Sequence, residues 1–248
     1  MAGHSKFKNI MHRKGAQDKK RAKLFSRLIR EVSVAAKLGL PDPDLNPRLR
    51  TAINNALSAN MPKDNIEKAI KKNSNNSENT NIEEIVYEGF GPGGVAIVID
   101  SFTDNKNRTA SEIRSTFNKY NGNLGTNGSV RHLFDKIGII IYPNSIGLFE
   151  EIFDYCVSLS VIDIEQEEET YKIYTSLELF HKINLNLDKK YGLPKNSFLD
   201  WKPIDFVNVE ESDAIKLLTL IERLEDIDDV QNISSNLNIS EKILEKLI

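Results

Sequence analysis

The chain of 248 residues has one cysteine, one tryptophan and no long apolar run. A single cysteine, Cys156, excludes an intrachain disulfide framework and suits a reducing compartment. It sits in the apolar helical pattern IFDYCVSL, so a small buried hydrophobe is the expectation rather than a catalytic thiol. No stretch approaches the roughly 18 apolar residues of a membrane span, and the N-terminus lacks the apolar segment of a secretion signal. A soluble cytoplasmic protein without a membrane partner is expected. No Ser-His or Cys-His nucleophile arrangement is visible, and the four histidines are scattered, which points away from catalysis.

Acid is scarce in one place. The first thirty residues carry ten Lys or Arg against Asp18 alone. Residues 1–72 hold 17 basic and 6 acidic side chains, a formal +11, whereas the remaining 176 hold 16 and 30, a formal −14. A chain of net charge −3 has thus gathered its positive charge at one end. Such asymmetry points to a polyanion partner.

Three zones follow along the chain. Residues 1–17 form an irregular basic arm. From Asp18 to about Leu38 the spacing predicts a helix, with Phe25, Leu28, Ile29, Val32, Ala35 and Ala36 on one arc and Lys19, Lys20, Lys23, Arg27, Arg30 and Lys37 almost opposite. Asn46-Pro47 supplies a cap and a first-turn proline for a second helix, and Met61-Pro62 starts a third. Residues 73–81, NSNNSENTN, carry no hydrophobe and no period and read as a flexible linker.

The second zone opens with strands at Ile85–Glu88 and Val95–Ile99 around Gly89-Phe90-Gly91-Pro92-Gly93-Gly94. A dinucleotide fingerprint needs a helix after its glycines, so a hairpin turn is expected instead. Asp104 is the expected cap of the next helix. Gly122–Ser129 is a second glycine-rich loop, whose backbone N–H groups could meet an anion. The third zone, Ile137–Trp201, reads βαββαβ, the ferredoxin-like split arrangement. A strand approach at Pro203–Val209, a helix at Ser212–Leu224 and a strand at Val230–Asn236 complete the second zone around it. The expected fold is α+β in three domains: a basic three-helix bundle (1–78), a discontinuous α/β domain (79–131 with 203–248) and an inserted α/β domain (132–202). The tail SEKILEKLI could add a short helix.

Several blocks match a known family in order: Met1–Lys6, His12-Arg13-Lys14, Asn46–Arg50, Asn60–Ile66, Tyr87–Gly94, Thr103-Asp104-Asn105, Asn107-Arg108-Thr109, Gly128-Ser129-Val130 and Leu224–Gln231. Together they resemble the YebC/PmpR family, which includes mitochondrial translational activators of cytochrome oxidase. Phe7 stands where that family usually has Trp, Phe90 where Tyr is common, and Ile233–Asn236 departs from an aromatic-bearing stretch. The resemblance implies three domains around a central cavity and a DNA-binding transcriptional regulator; a ribosome-associated translation factor that relieves stalling is the alternative.

The expected contacts to DNA, or to ribosomal RNA, are His4, Lys6, Lys8, His12, Arg13 and Lys14 of the arm, Lys19, Lys20, Lys23, Arg27 and Arg30 of the first helix, and Arg48, Arg50 and Lys63. Lys and Arg would neutralise phosphates and release counterions. Neither a catalytic residue, a metal ligand, a cofactor nor an obligate small molecule is expected. A metal-dependent enzyme is the least favoured reading; it would rest on Glu222, Glu225, Asp226, Asp228 and Asp229, since clustered acids can hold Mg²⁺.

Overall fold

The computed structural model describes residues 17–74 and 82–239. Helices α1 (Gln17–Leu38), α2 (Pro47–Ser58) and α3 (Lys63–Ser74) come first. Then follow β1 (Glu83–Phe90), β2 (Ala96–Thr103), α4 (Lys106–Lys119) and β3 (Asn123–Leu124). The third stretch is β4 (Phe134–Pro143), α5 (Phe149–Ser158), β5 (Asp163–Gln166), β6 (Thr170–Ser176), α6 (Phe180–Tyr191) and β7 (Asn196–Pro203). The chain closes with β8 (Val207–Asn208), α7 (Glu211–Glu225), β9 (Val230–Ser235) and β10 (Leu237–Asn238). The mixed α+β class expected from sequence is what forms. The predicted arm and the C-terminal tail lie outside the described residues, as do residues 75–81 of the predicted linker. None of the described helices is long and apolar enough to cross a membrane.

Contacts divide the chain into two units. One holds residues 82–135 and 201–239 and is built on a sheet of order β3-β1-β2-β9. Strands β1 and β2 pair antiparallel from Glu83↔Thr103 to Phe90↔Ala96. Val95, Ile97 and Ile99 meet Ile113 and Phe117 of α4 and Leu217, Leu220, Ile221 and Leu224 of α7. These apolar side chains are nearly or wholly removed from water, and each such burial is worth about 1.5–3 kcal/mol. The opposite face of β2, Ala96 and Val98, packs against Val130, Phe134 and Trp201. Covered on both faces, β2 is apolar without alternation. The predicted hairpin turn is a single 3₁₀ turn, Pro92–Gly94, with Gly93 and Gly94 both at φ 72°, a region that glycine enters without strain.

The other unit holds residues 18–74 and 136–200. Its sheet has the order β5-β6-β4-β7, the ferredoxin-like order for βαββαβ, with β6 antiparallel to both β4 and β5. Ile140, Tyr142, Ile152, Cys156, Ile173, Phe180, Ile183 and Leu187 form its core. Helix α6 begins at Phe180 and runs to Tyr191. Ser176 Oγ accepts from Leu179 N at 3.3 Å, which holds Leu177–Leu179 as a turn. Phe180, Ile183, Asn184 and Leu187 then form the buried stripe at helical spacing.

Helices α1 to α3 share a core of Val32, Ala35, Ala36, Leu49, Ala52, Ala56, Met61, Ile66 and Ala69. Asn46 fixes the α1–α2 turn. Its Oδ1 accepts from Leu49 N at 3.0 Å, and its Nδ2 donates to the Ala35 and Leu40 carbonyls at 2.8 Å each. Helix α2 is joined to the strand layer by paired amide bonds: Asn55 Nδ2 donates to the Ser197 carbonyl at 2.6 Å, and Ser197 N donates to Asn55 Oδ1 at 2.9 Å.

Candidate nucleic-acid interface

Lys19 and Lys20 fall in the first turn of α1, and Arg21 and Lys23 in the second. Arg21 is exposed and its guanidinium lies over the Phe25 ring at 5.3 Å. Lys23, Arg27 and Arg30 are half-buried, and each makes an interaction within the chain. Further along, α3 carries Lys63, Lys68, Lys71 and Lys72, all exposed, against Asp64 and Glu67. Only Lys63 of these four is among the residues expected from sequence. Arg21, Lys68 and Lys72 were legible as charge, but a wheel drawn for α1 alone could not show that α3 adds a second row.

Arg48 and Arg50 are placed differently. Arg48 lies against Glu31, Nε to Oε1 at 2.8 Å and Nη2 to Oε2 at 3.3 Å, which staples α2 to α1. Arg50 donates from Nε to the Pro43 carbonyl at 3.0 Å and from Nη2 to the Asp44 carbonyl at 2.8 Å. Both guanidiniums therefore hold the α1–α2 connection in shape. His4, Lys6, Lys8, His12, Arg13 and Lys14 lie outside the described residues.

The two glycine-rich stretches and the acidic cluster resolve into internal contacts. The anion met by the Gly122–Ser129 loop is the chain's own Glu88. Its Oε1 accepts from Gly128 N at 2.8 Å and its Oε2 from Val130 N and Arg131 N at 2.9 Å each, with Arg131 Nε 3.6 Å away. Burial pushes the Glu88 carboxyl up, but the three N–H donors and Arg131 outweigh it, so the net shift is downward. Glu88 thus stays ionised with its side chain wholly buried.

Asp229, the buried member of the acidic cluster, anchors the start of α4. Its Oδ2 accepts from Thr109 Oγ1 at 2.6 Å and Arg108 Nη2 at 3.1 Å, and Thr109 also bonds Thr103 Oγ1 at 2.8 Å. The expected cap, Asp104, gives way to Asn105, whose Oδ1 accepts from Arg108 N at 3.1 Å; Asp104 instead pairs with the Arg108 side chain at 2.7 Å. Tyr87 belongs to the same cluster, its hydroxyl donating to the Lys106 carbonyl at 3.2 Å. Its titration is pushed up by burial first, then by Asp229 and Glu83. Asp226 lies 3.6 Å from Arg223. Among the described residues no group of three or more His, Cys, Asp or Glu is arranged to hold a metal ion.

Comparison with known proteins agrees with this architecture. An α+β protein with a basic helical segment ahead of two antiparallel sheets is the class defined by the fold. The N-terminal domain model of the TACO1/YebC proteins matches residues 5–76, and the model of their second and third domains matches residues 82–237. The chain belongs to the TACO1/YebC family. It is 50% identical over 247 residues to a probable transcriptional regulatory protein of Zymomonas mobilis, covering 100% of this chain and 99% of that one. It is 49% identical over 248 residues to one of Rickettsia bellii, covering 100% and 98%. The crystal structure of a conserved hypothetical protein from Aquifex aeolicus superposes with a TM-score of 0.84 at 44% identity, over 92% of this chain and 94% of that one.

Proposed function

We propose that the chain is a DNA-binding transcriptional regulator of the cytoplasm whose basic N-terminal segment grips the phosphate backbone. The observation that carries this reading is the charge division, +11 over residues 1–72 against −14 over the rest. The name shared by the Zymomonas and Rickettsia relatives supports a regulatory role. Lysines on α1 and α3 give contacts that position the protein without reading bases. The acidic remainder repels polyanions and directs them to the N-terminal segment. A second reading, a translation factor bound to ribosomal RNA, is favoured by the same predominance of lysine, because structured RNA is recognised largely through shape and phosphates. No catalytic step is assigned to the chain.

The test is charge reversal at Lys19, Lys20, Lys63 and Lys68. Lys23 and Arg27 are left intact because both are half-buried. Each lost phosphate contact lowers the log–log salt slope by about 0.9 on duplex DNA, so four contacts remove roughly 3–4. Unchanged affinity and slope in a correctly folded variant refute the reading. Crosslinking followed by sequencing of the bound nucleic acid separates promoter DNA from ribosomal RNA.

A further inference from the structure

Helix α5 carries more apolar surface than its sheet covers. Ile152 and Cys156 enter the core and are wholly buried. On one flank Tyr155 meets α6, with Lys190 Nζ over its ring at 3.6 Å and the Tyr191 ring edge-on at 5.8 Å. Phe153 and Val157 lie roughly 160° around the helix axis from Tyr155, on the flank away from α6. There the apolar arc does not stop at the core. Half-buried Phe149 stacks at 5.9 Å on Phe153, which is 43% exposed, and Val157 one turn further is 58% exposed. Single exposed hydrophobes are ordinary, but a row at four-residue spacing, continuous with the core, is a patch.

The charge around this row has one sign. Between Lys136 and Lys172 the chain has eight acidic residues and no Lys, Arg or His. Glu150 and Asp154 come next around the helix, about 20° and 60° beyond Val157, and both are exposed. Neither forms an ion pair with another described residue. The β5–β6 turn adds exposed Glu168 and Glu169, while Glu167 pairs with Lys172 at 2.5 Å. That turn is tied to the start of α5. Asn144 Nδ2 donates to the Glu167 and Glu168 carbonyls at 3.0 Å each, and the Tyr171 hydroxyl donates to the Gly147 carbonyl at 3.1 Å. Strand β5, at the sheet edge, is only four residues long and its Ile164 N donates to Asp163 Oδ1 at 2.8 Å, so this edge does not invite an added strand.

Charge selects the occupant. The acids repel nucleic acid and an anionic membrane surface, and a second copy of α5 would set like charge against like. A helix whose apolar stripe is bordered by Lys or Arg complements both the row and its rim, and an aromatic anchor such as Phe153 is the usual centre of such a contact. We propose that α5 docks a lysine- or arginine-rich amphipathic helix of a partner protein, with Phe153 and Val157 against its apolar stripe and Glu150 and Asp154 beside its cations. This surface is independent of the nucleic-acid reading. It gives the chain a protein contact of opposite charge to its basic helices.

The experiment uses the full chain and three synthetic peptides of about four helical turns: an amphipathic leucine–lysine helix, its leucine–glutamate counterpart, and a serine–lysine peptide of equal charge. Binding is read by fluorescence anisotropy and located by backbone amide NMR shifts. The leucine–lysine peptide is expected to bind saturably, at least tenfold more tightly than the other two, with shifts centred on α5. Phe153→Ser is expected to weaken it about tenfold, as loss of an anchor does. Val157→Lys, at a more exposed position, should do the same without touching the core, and Glu150→Lys with Asp154→Lys should abolish the preference for lysine. Equal binding of the serine–lysine peptide, or binding unchanged in Phe153→Ser and Val157→Lys, overturns the apolar contact. Equal binding of the leucine–glutamate peptide overturns the basic partner. Shifts centred away from α5, or no binding at all, overturn the site. Sedimentation showing self-association of the native chain that Val157→Lys removes assigns the face to a second copy and overturns the foreign partner.

Discussion

Replacing Glu88 with Gln tests a wholly buried carboxylate while nearly preserving its shape. Three backbone N–H groups, from Gly128, Val130 and Arg131, converge on the two oxygens at 2.8–2.9 Å. The amide retains one acceptor. Keeping its oxygen toward Val130 and Arg131 turns its NH₂ against Gly128 N and Arg131 Nε, so one charge-assisted bond is lost and two donors face each other. A hydrogen bond to a charged group contributes about 1.5–3 kcal/mol, and an unsatisfied buried donor costs about 1–3 kcal/mol, so a loss of about 2–4 kcal/mol is expected. Amide exchange reads this directly: the Gly128 N–H should exchange roughly 30- to 1000-fold faster, while amides of α6 in the other unit are unaffected. The pH dependence provides a second measure. Because the folded carboxyl titrates below the ordinary glutamate value, its stabilising contribution is complete above that value and is lost as pH falls through the lower folded one. The difference between the native protein and the variant should thus be constant from pH 7 to about 5 and shrink below 4.5. A loss under 0.5 kcal/mol, or a difference that does not shrink in acid, refutes the account of the loop as a cradle for Glu88.

Asn46→Ala removes a helix cap and two side-chain bonds to α1 and its following turn, and should lower stability by about 2–3 kcal/mol in urea denaturation. Asp229→Asn should weaken its bonds to Thr109 and Arg108 and fray the first turn of α4, seen as faster exchange at Arg108 and Thr109 with little effect deeper in the helix. Gly138→Ala places a methyl group against the Phe180 ring and Thr175 Oγ1 and should destabilise the β4–β6–α6 core by more than about 2 kcal/mol, measured by thermal unfolding. Burial pushes the Cys156 thiol up to about 11, so a thiol reagent at pH 8 should label it only as fast as the protein opens, and promptly once it is unfolded.

The helices and strands were legible because their causes are local. Asn46-Pro47 makes a helix start from its own side chain and fixed φ, and the stripe Leu49, Ala52, Ala56 needs no partner to be visible. The order βαββαβ could be read from period changes alone, and its ferredoxin-like strand order followed. The charge division, on which the functional reading depends, is a property of composition and of the chain's linear order.

What only the tertiary structure decided depends on residues far apart in sequence. Gly128 and Glu88 are forty positions apart, and a glycine-rich loop with open N–H groups cannot reveal that its anion comes from a neighbouring strand. The acidic run before β9 is legible in sequence only as clustered charge, and the bond of Asp229 to Thr109, 120 residues away, appears only in the fold. For Arg48 and Arg50 the sequence shows only their charge, and the fold shows that Glu31 and the Pro43 and Asp44 carbonyls occupy donors of each. The two hydrogen bonds exchanged by Asn55 and Ser197 span 142 positions of chain and have no sequence signature. Sequence determined the elements and the placement of charge, because both depend on neighbours in the chain. Folding decided which charges are spent internally, because burial and pairing depend on what the fold brings within 3 Å.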